Sequence, residues 1–319
     1  HSLRWITGLL AACCAGMAAQ ASAGEPPAAP MLLVEPGGHV GAVHKIVVDA
    51  GHSQVVTIGH DKTIRVWGVP DLQLRAILRV PIADGNEGQL YAAAISPDGT
   101  TLAVGGWTGW EWDQSASVYL FDMESGRMVR RISGFPEGIG ALAYSPSGQH
   151  LAVGLLGSAG LYVLRSADYR MAERDTQYAD KIIEIDYDAA GRLAVSSLDG
   201  MVRLYDEHAK LRLRKRVQAG NKPASIRFSP DGNRIAVGFY DSPRVSVLSA
   251  ADLRPAWSSP RDAAPGLANL YSLTWAARGT KLCAGGERRG AGPNTIRCWR
   301  ADGRGKPVVT PVGRTRVGD

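Results

Sequence analysis

The stretch GHVGAVHKIVVDAGHSQVVTIGHDKTIRVW, Gly38 to Trp67, decides how this chain folds. Val43-His44-Lys45-Ile46-Val47-Val48 is an apolar alternating run that ends at the turn Asp49-Ala50-Gly51. Val55-Val56-Thr57-Ile58 follows, then the tight turn His60-Asp61-Lys62, then Thr63-Ile64-Arg65-Val66-Trp67. Short β-prone runs separated by turn residues predict an antiparallel meander, with Leu72 to Val80 as its fourth strand. Such a unit cannot hide its own apolar faces, so the rest of the chain should supply more of them.

It does. The turn after each first strand ends in Gly51, Gly99, Gly148, Gly191, Gly232 and Gly279, at spacings of 48, 49, 43, 41 and 47 residues. Ser96-Pro97-Asp98-Gly99, Ser145-Pro146-Ser147-Gly148 and Ser229-Pro230-Asp231-Gly232 are one motif. Proline presets the turn, Asp or Ser bonds the local backbone, and Gly takes the left-handed corner. Each turn leads into a strand of small apolar residues, such as Leu102-Ala103-Val104-Gly105 and Leu151-Ala152-Val153-Gly154.

A unit that opens on Gly-His and closes on Trp after about 30 residues resembles a WD repeat, one blade of a β-propeller. The resemblance covers roughly residues 31–312, although Gly68 stands where the family has the Asp of Trp-Asp. It implies an all-β propeller with six recognisable four-stranded blades. It also implies a hydrogen-bonded tetrad, matched here at His39, Thr57, Asp61 and Trp67. Only the first blade keeps all four; the fourth keeps Ser197 and Asp199, so the other blades are expected to rest on packing. One more period beyond Gly279 would fall near residue 326. Met31-Leu32-Leu33-Val34 stands where the family has the outer strand of its last blade. The expectation is a seven-bladed ring truncated at the C-terminus, with a six-bladed ring closed by residues 31–34 as the alternative.

Residues 1–23 read as a secretory signal, with Arg4, an apolar run and Ala21-Ser22-Ala23 as the cleavage site. A rival reading makes Cys13 a lipid-anchor position. Residues 24–30 read as a linker and 31–319 as the propeller. No later apolar stretch is long enough to span a membrane. Cys283 and Cys298 fall on neighbouring strands of one blade. They are expected to sit diagonally, which argues against a disulfide and for small buried apolar residues.

Two loops between second and third strands are overlong. One inserts Trp107, Trp110, Glu111, Trp112 and Asp113; the other runs from Glu287 to Asn294 and carries Arg288 and Arg289. The resemblance puts both on the rim of the Gly-His loops, which partners usually contact. Indoles are enriched in interface hot spots, so these seven residues are the candidate surface for a protein or peptide partner. The other reading is that the indoles fold back and cap the central channel. Asp84-Gly85-Asn86-Glu87-Gly88 should border the tryptophan insert.

The net charge is +6, and a basic run from Lys210 to Arg216 reads as the wet face of an outer strand, not as a nucleic-acid surface. The histidines show no metal spacing, and no Gly-x-Ser-x-Gly, phosphate loop or Cys/His protease signature occurs. No cofactor and no catalytic residue is expected. Asn86 to Tyr91 and Gly105 to Trp110 look like exported bacterial WD-repeat proteins that continue into a caspase-like peptidase domain. That resemblance implies a non-catalytic scaffold of the cell envelope and the recognition module of a larger peptidase. The alternatives are a periplasmic six-bladed accessory propeller and a propeller enzyme of lactonase or dehydrogenase type.

Overall fold

A computed structural model describes residues 37–206, 211, 213–218, 222–260, 266–288 and 293–312. The signal, the linker, Cys13, residues 31–34, Lys210, Arg212 and Arg289 lie outside the described residues. The fold is a β-propeller of six four-stranded antiparallel meanders with almost no helix. The blades span residues 43–78, 89–135, 139–175, 182–218, 223–258 and 272–312. Their inner strands are Val43–Val48, Gln89–Ile95, Ile139–Tyr144, Ile182–Tyr187, Pro223–Phe228 and Ser272–Ala276, and each packs on the next in chain order.

The turns behave as their residues dictate. Gly99, Gly148 and Gly232 take positive φ, and Ser96 and Ser229 donate to Asp98 and Asp231 in their own turns. In blade one the left-handed corner falls one residue after Gly51, on His52. The small second strands have a steric cause. A Cβ on Gly154 would lie 2.4 Å from Cγ2 of Ile182 in the next blade's inner strand. Only a strand without bulk there lets neighbouring blades approach.

The core is divided into layers between blades. Val56, Ile58, Leu90 and Leu102 fill the first, and Leu120, Ile139 and Leu151 the second. Ile182, Ile185 and Leu193 meet Leu161 in the third. Leu204, Ile226 and Ile235 form the fourth, and Leu270, Leu282 and Trp299 the fifth. Opposite faces of the first and last blades are less covered: Ile46 is 61% exposed, Val48 49%, Ile296 41% and Val308 63%. Arginines stitch the far end. Arg192 of blade four donates to the Gly232 and Ala250 carbonyls of blade five, and Arg234 of blade five to Ala301 of blade six at 2.6 Å.

The expected diagonal placement of the cysteines is wrong. Cys283 and Cys298 face each other directly, with Cα atoms 4.0 Å apart, and form a disulfide. Leu282 pairs with Trp299 as Val55 pairs with Trp67, so blade six repeats the register of blade one. The cysteines occupy the places of Val56 and Val66, a facing pair.

Candidate functional site

In blade one, His39 Nε2 lies 2.7 Å from Thr57 Oγ1, and its Nδ1 2.8 Å from Asp61. The Trp67 indole N–H donates to the same Thr57 oxygen at 2.8 Å. With Nδ1–H donating to Asp61, the Thr57 hydroxyl gives its proton to Nε2 and accepts from Trp67, so each member is satisfied once. Burial opposes ionisation of Asp61, yet hydrogen bonds from His39 and Thr63 hold its carboxyl below the usual range. The chain ties the segment before the inner strand to the loop after the second strand and to the third strand.

Four of the other five blades do not rest on packing alone. In blade two the Glu87 carboxylate accepts from the backbone N–H groups of Gly109, Trp110 and Glu111, the last two at 2.9 and 3.2 Å. In blade three Glu137 accepts from Ser158 and Ala159 at 3.1 and 2.9 Å. In blade six the Asn269 side chain accepts from Glu287 at 2.7 Å. Blade four uses a buried guanidinium. Arg203 pairs with Asp199 at 2.7 Å, donates to the Gln177 carbonyl and lies 3.9 Å over the Tyr178 ring, whose hydroxyl meets that of Tyr205. In these blades a polar group holds the loop as His39 holds it in blade one, with different chemistry.

Blade two carries the candidate surface. Its insert forms a one-turn helix, α1, Trp110–Asp113, entered through Gly109 at φ 97°. Gly109 is required, because a Cβ there would meet Ser117 Oγ at 2.7 Å in a left-handed backbone. Asp113 is ion-paired with Arg131, which also donates to Ser117. Burial outweighs the three N–H groups on Glu87 and raises its pKa. The Trp107 and Trp110 rings stand edge to face, 5.8 Å between centroids, and both are half-buried. Trp107 also faces Gly138 of blade three. Trp112 is half-buried with its indole nitrogen enclosed, and Glu111 is exposed. The insert is thus pinned to blades two and three. Arg288 sits in blade six, bridged to Leu267, so the candidate residues fall into separate groups.

Two further clusters were not singled out by sequence. His44, His60 and Tyr91 form a ring cluster between blades one and two, with centroids 4.1 to 5.5 Å apart. Burial and then the neighbouring His60 lower the His44 pKa. On the axis, Lys45 of blade one forms an ion pair with Glu184 of blade four, which Arg227 of blade five also reaches at 2.9 Å. Burial raises Asp186 to about 6 against the pull of Arg227. Their partners come from other blades, which a repeat reading leaves unspecified. Among the described residues no group of three or more side chains could hold a metal ion, and no helix is long and apolar enough to cross a membrane.

No family model matches the chain. It is 25% identical over 173 residues to human Echinoderm microtubule-associated protein-like 1, an alignment that covers 53% of this chain and 19% of the relative. The mouse protein of the same name is 29% identical over 118 residues, 37% of this chain and 13% of the relative. Small ribosomal subunit protein RACK1y of Oryza sativa subsp. japonica is 29% identical over 80 residues, 24% and 22% of the two chains. The matches therefore cover between 13% and 22% of the length of these relatives. With the six radial blades, these likenesses support a WD-repeat propeller.

Proposed function

We propose that this chain is a non-catalytic protein-interaction scaffold whose binding face is the rim of blades two and three. One observation carries the reading. The Glu87 carboxylate fixes the backbone of residues 109–111, so Trp107 and Trp110 are held ready as a half-exposed pair. A rigid aromatic surface loses little conformational entropy on binding and is the usual material of hot spots. The Cys283–Cys298 disulfide supports the export reading, since such bonds persist in oxidising compartments. A place in the bacterial envelope, and a role as recognition module of a caspase-like peptidase, rest on the resemblance at residues 86–110 and belong to the same proposal.

The test takes peptides selected from a random displayed library on the wild-type protein. Trp110→Ala should weaken their binding by about 30-fold, the loss of one hot spot. The melting temperature should move by less than about 2 °C, because a half-exposed indole contributes modestly to folding. Unchanged affinity refutes the rim as binding face. A melting temperature that collapses with the substitution favours a structural cap instead.

A further inference from the structure

We infer that the segment recognised at this rim presents a lysine or arginine to the Trp107–Trp110 corner, with Glu111 as its counter-ion. This rests on the rim being the binding face and goes on to the chemistry of what it binds.

The argument comes from which charges are already engaged. Three carboxylates belong to the blade-two part of this rim. Glu87 is 2% exposed and is occupied by three backbone N–H groups. Asp113 is paired with Arg131, whose guanidinium also reaches Ser117. Glu111 alone is exposed, and among the described residues it has no ion pair. Across the blade boundary, Glu137 is half-buried beside Gly138, the residue Trp107 faces, and among the described residues its carboxylate is met by N–H groups and not by a base. On the bordering connection Asp84 is exposed, with Lys62 held at the Ala83 carbonyl. Bases near the corner are therefore committed, while acidic charge remains open. The chain as a whole carries +6, so this acidity is local and runs against the average.

The rings supply the second half. An edge-to-face pair offers one indole face approached by the edge of the other, both half-exposed. A cation over a Trp face gains about 0.5–1 kcal/mol at exposed sites and more when desolvated. A carboxylate beside it adds a charge-assisted hydrogen bond. Acidic or purely apolar segments would face Glu111 without compensation, so charge selects the cationic one.

The experiment is the composition of the peptides enriched from the same random 12-residue library on the wild-type, Glu111→Lys and Trp110→Ala proteins, with affinities of the enriched peptides at low and high salt. On the wild type, Lys and Arg should rise at least threefold over the starting library, with affinity falling as salt rises. Glu111→Lys should remove that enrichment, and Glu111→Gln should weaken the selected peptides five- to tenfold. Melting curves should confirm that all variants fold, as expected for an exposed position. Enrichment of acidic or neutral peptides that still depend on Trp110 overturns the cationic inference and leaves the rim standing. Enriched peptides indifferent to Trp110, or no enrichment at all, overturn both.

Discussion

Glu184→Gln tests an interaction that joins blades one, four and five across the ring. Glu184 receives both Lys45 and Arg227, from blades one and five, and its side chain is 13% exposed. Removing its charge leaves two cations facing a reduced set of acids, with Asp186 the remaining carboxylate nearby. Breaking a buried pair from one side costs about 3–5 kcal/mol, and the partial exposure here places the expected loss near 2–3. Lys45→Met differs: Glu184 keeps Arg227 at 2.9 Å, and the new side chain fills the same path. Its expected cost is about 1 kcal/mol, because the remaining pair is still compensated. At roughly 2 °C per kcal/mol for a chain of this size, the shifts in melting temperature are about 4–6 °C and about 2 °C. Calorimetry on both variants and their double mutant reads them, and hydrogen exchange should show faster opening of Val43–Val48 and Ile182–Tyr187 in Glu184→Gln. A Lys45→Met loss equal to or larger than that of Glu184→Gln would refute the shared carboxylate, and with it a cross-ring brace.

Asp186 makes the same centre sensitive to pH. Its folded pKa is raised from 3.8 to about 6, so its ionisation costs the fold nothing below about pH 4, an increasing amount between about pH 4 and 6, and a constant amount above. Wild type should therefore gain about 1 kcal/mol between pH 7 and 5, and Asp186→Asn should flatten that slope in denaturant titrations; an unchanged slope counts against the assignment. Reducing the Cys283–Cys298 bond, which closes a separation of 15 residues, should cost about 3 kcal/mol and roughly 6 °C. Peptide mapping without reductant checks that the bond is present, and free thiols there would remove the prediction. Thr57→Val leaves the His39 and Trp67 nitrogens without their shared partner and should cost about 2–3 kcal/mol in equilibrium unfolding. A loss under about 0.5 would mean that the hydrogen-bond chain contributes little.

The fold could be read because its determinants are local. Turn glycines, small second strands and alternating runs each act within a few residues, and they build six meanders. The tetrad was legible for the same reason: a resemblance fixed which of its four members should meet. The cysteine pairing was misread through a slip of strand register, although Trp67 and Trp299 would have aligned the two blades. What the sequence did not disclose depends on chemistry that changes from blade to blade. Nothing in the spacing says that Glu87 does the work of His39, or that a buried Arg203, stacked on Tyr178 and paired with Asp199, holds the loop of blade four. Lys45 and Glu184 are 139 residues apart, and only the ring brings them together.

Those replacements also explain why blade two tolerates its insertion. His39 binds side chains, Thr57 and Asp61, so a longer loop in blade one would carry its partners out of reach. Glu87 and Glu137 bind backbone N–H groups instead, which every residue but proline supplies. A carboxylate with about four acceptor sites can hold three consecutive N–H groups of a tight turn, whatever side chains that turn bears. The clamp therefore fixes the loop's path without constraining its identity. Burial makes Glu87 costly to ionise, so blade two spends stability to keep it. In return the side chains at positions 110 and 111 are released from structural duty, and these are the indole and the unpaired acid that the partner is proposed to meet.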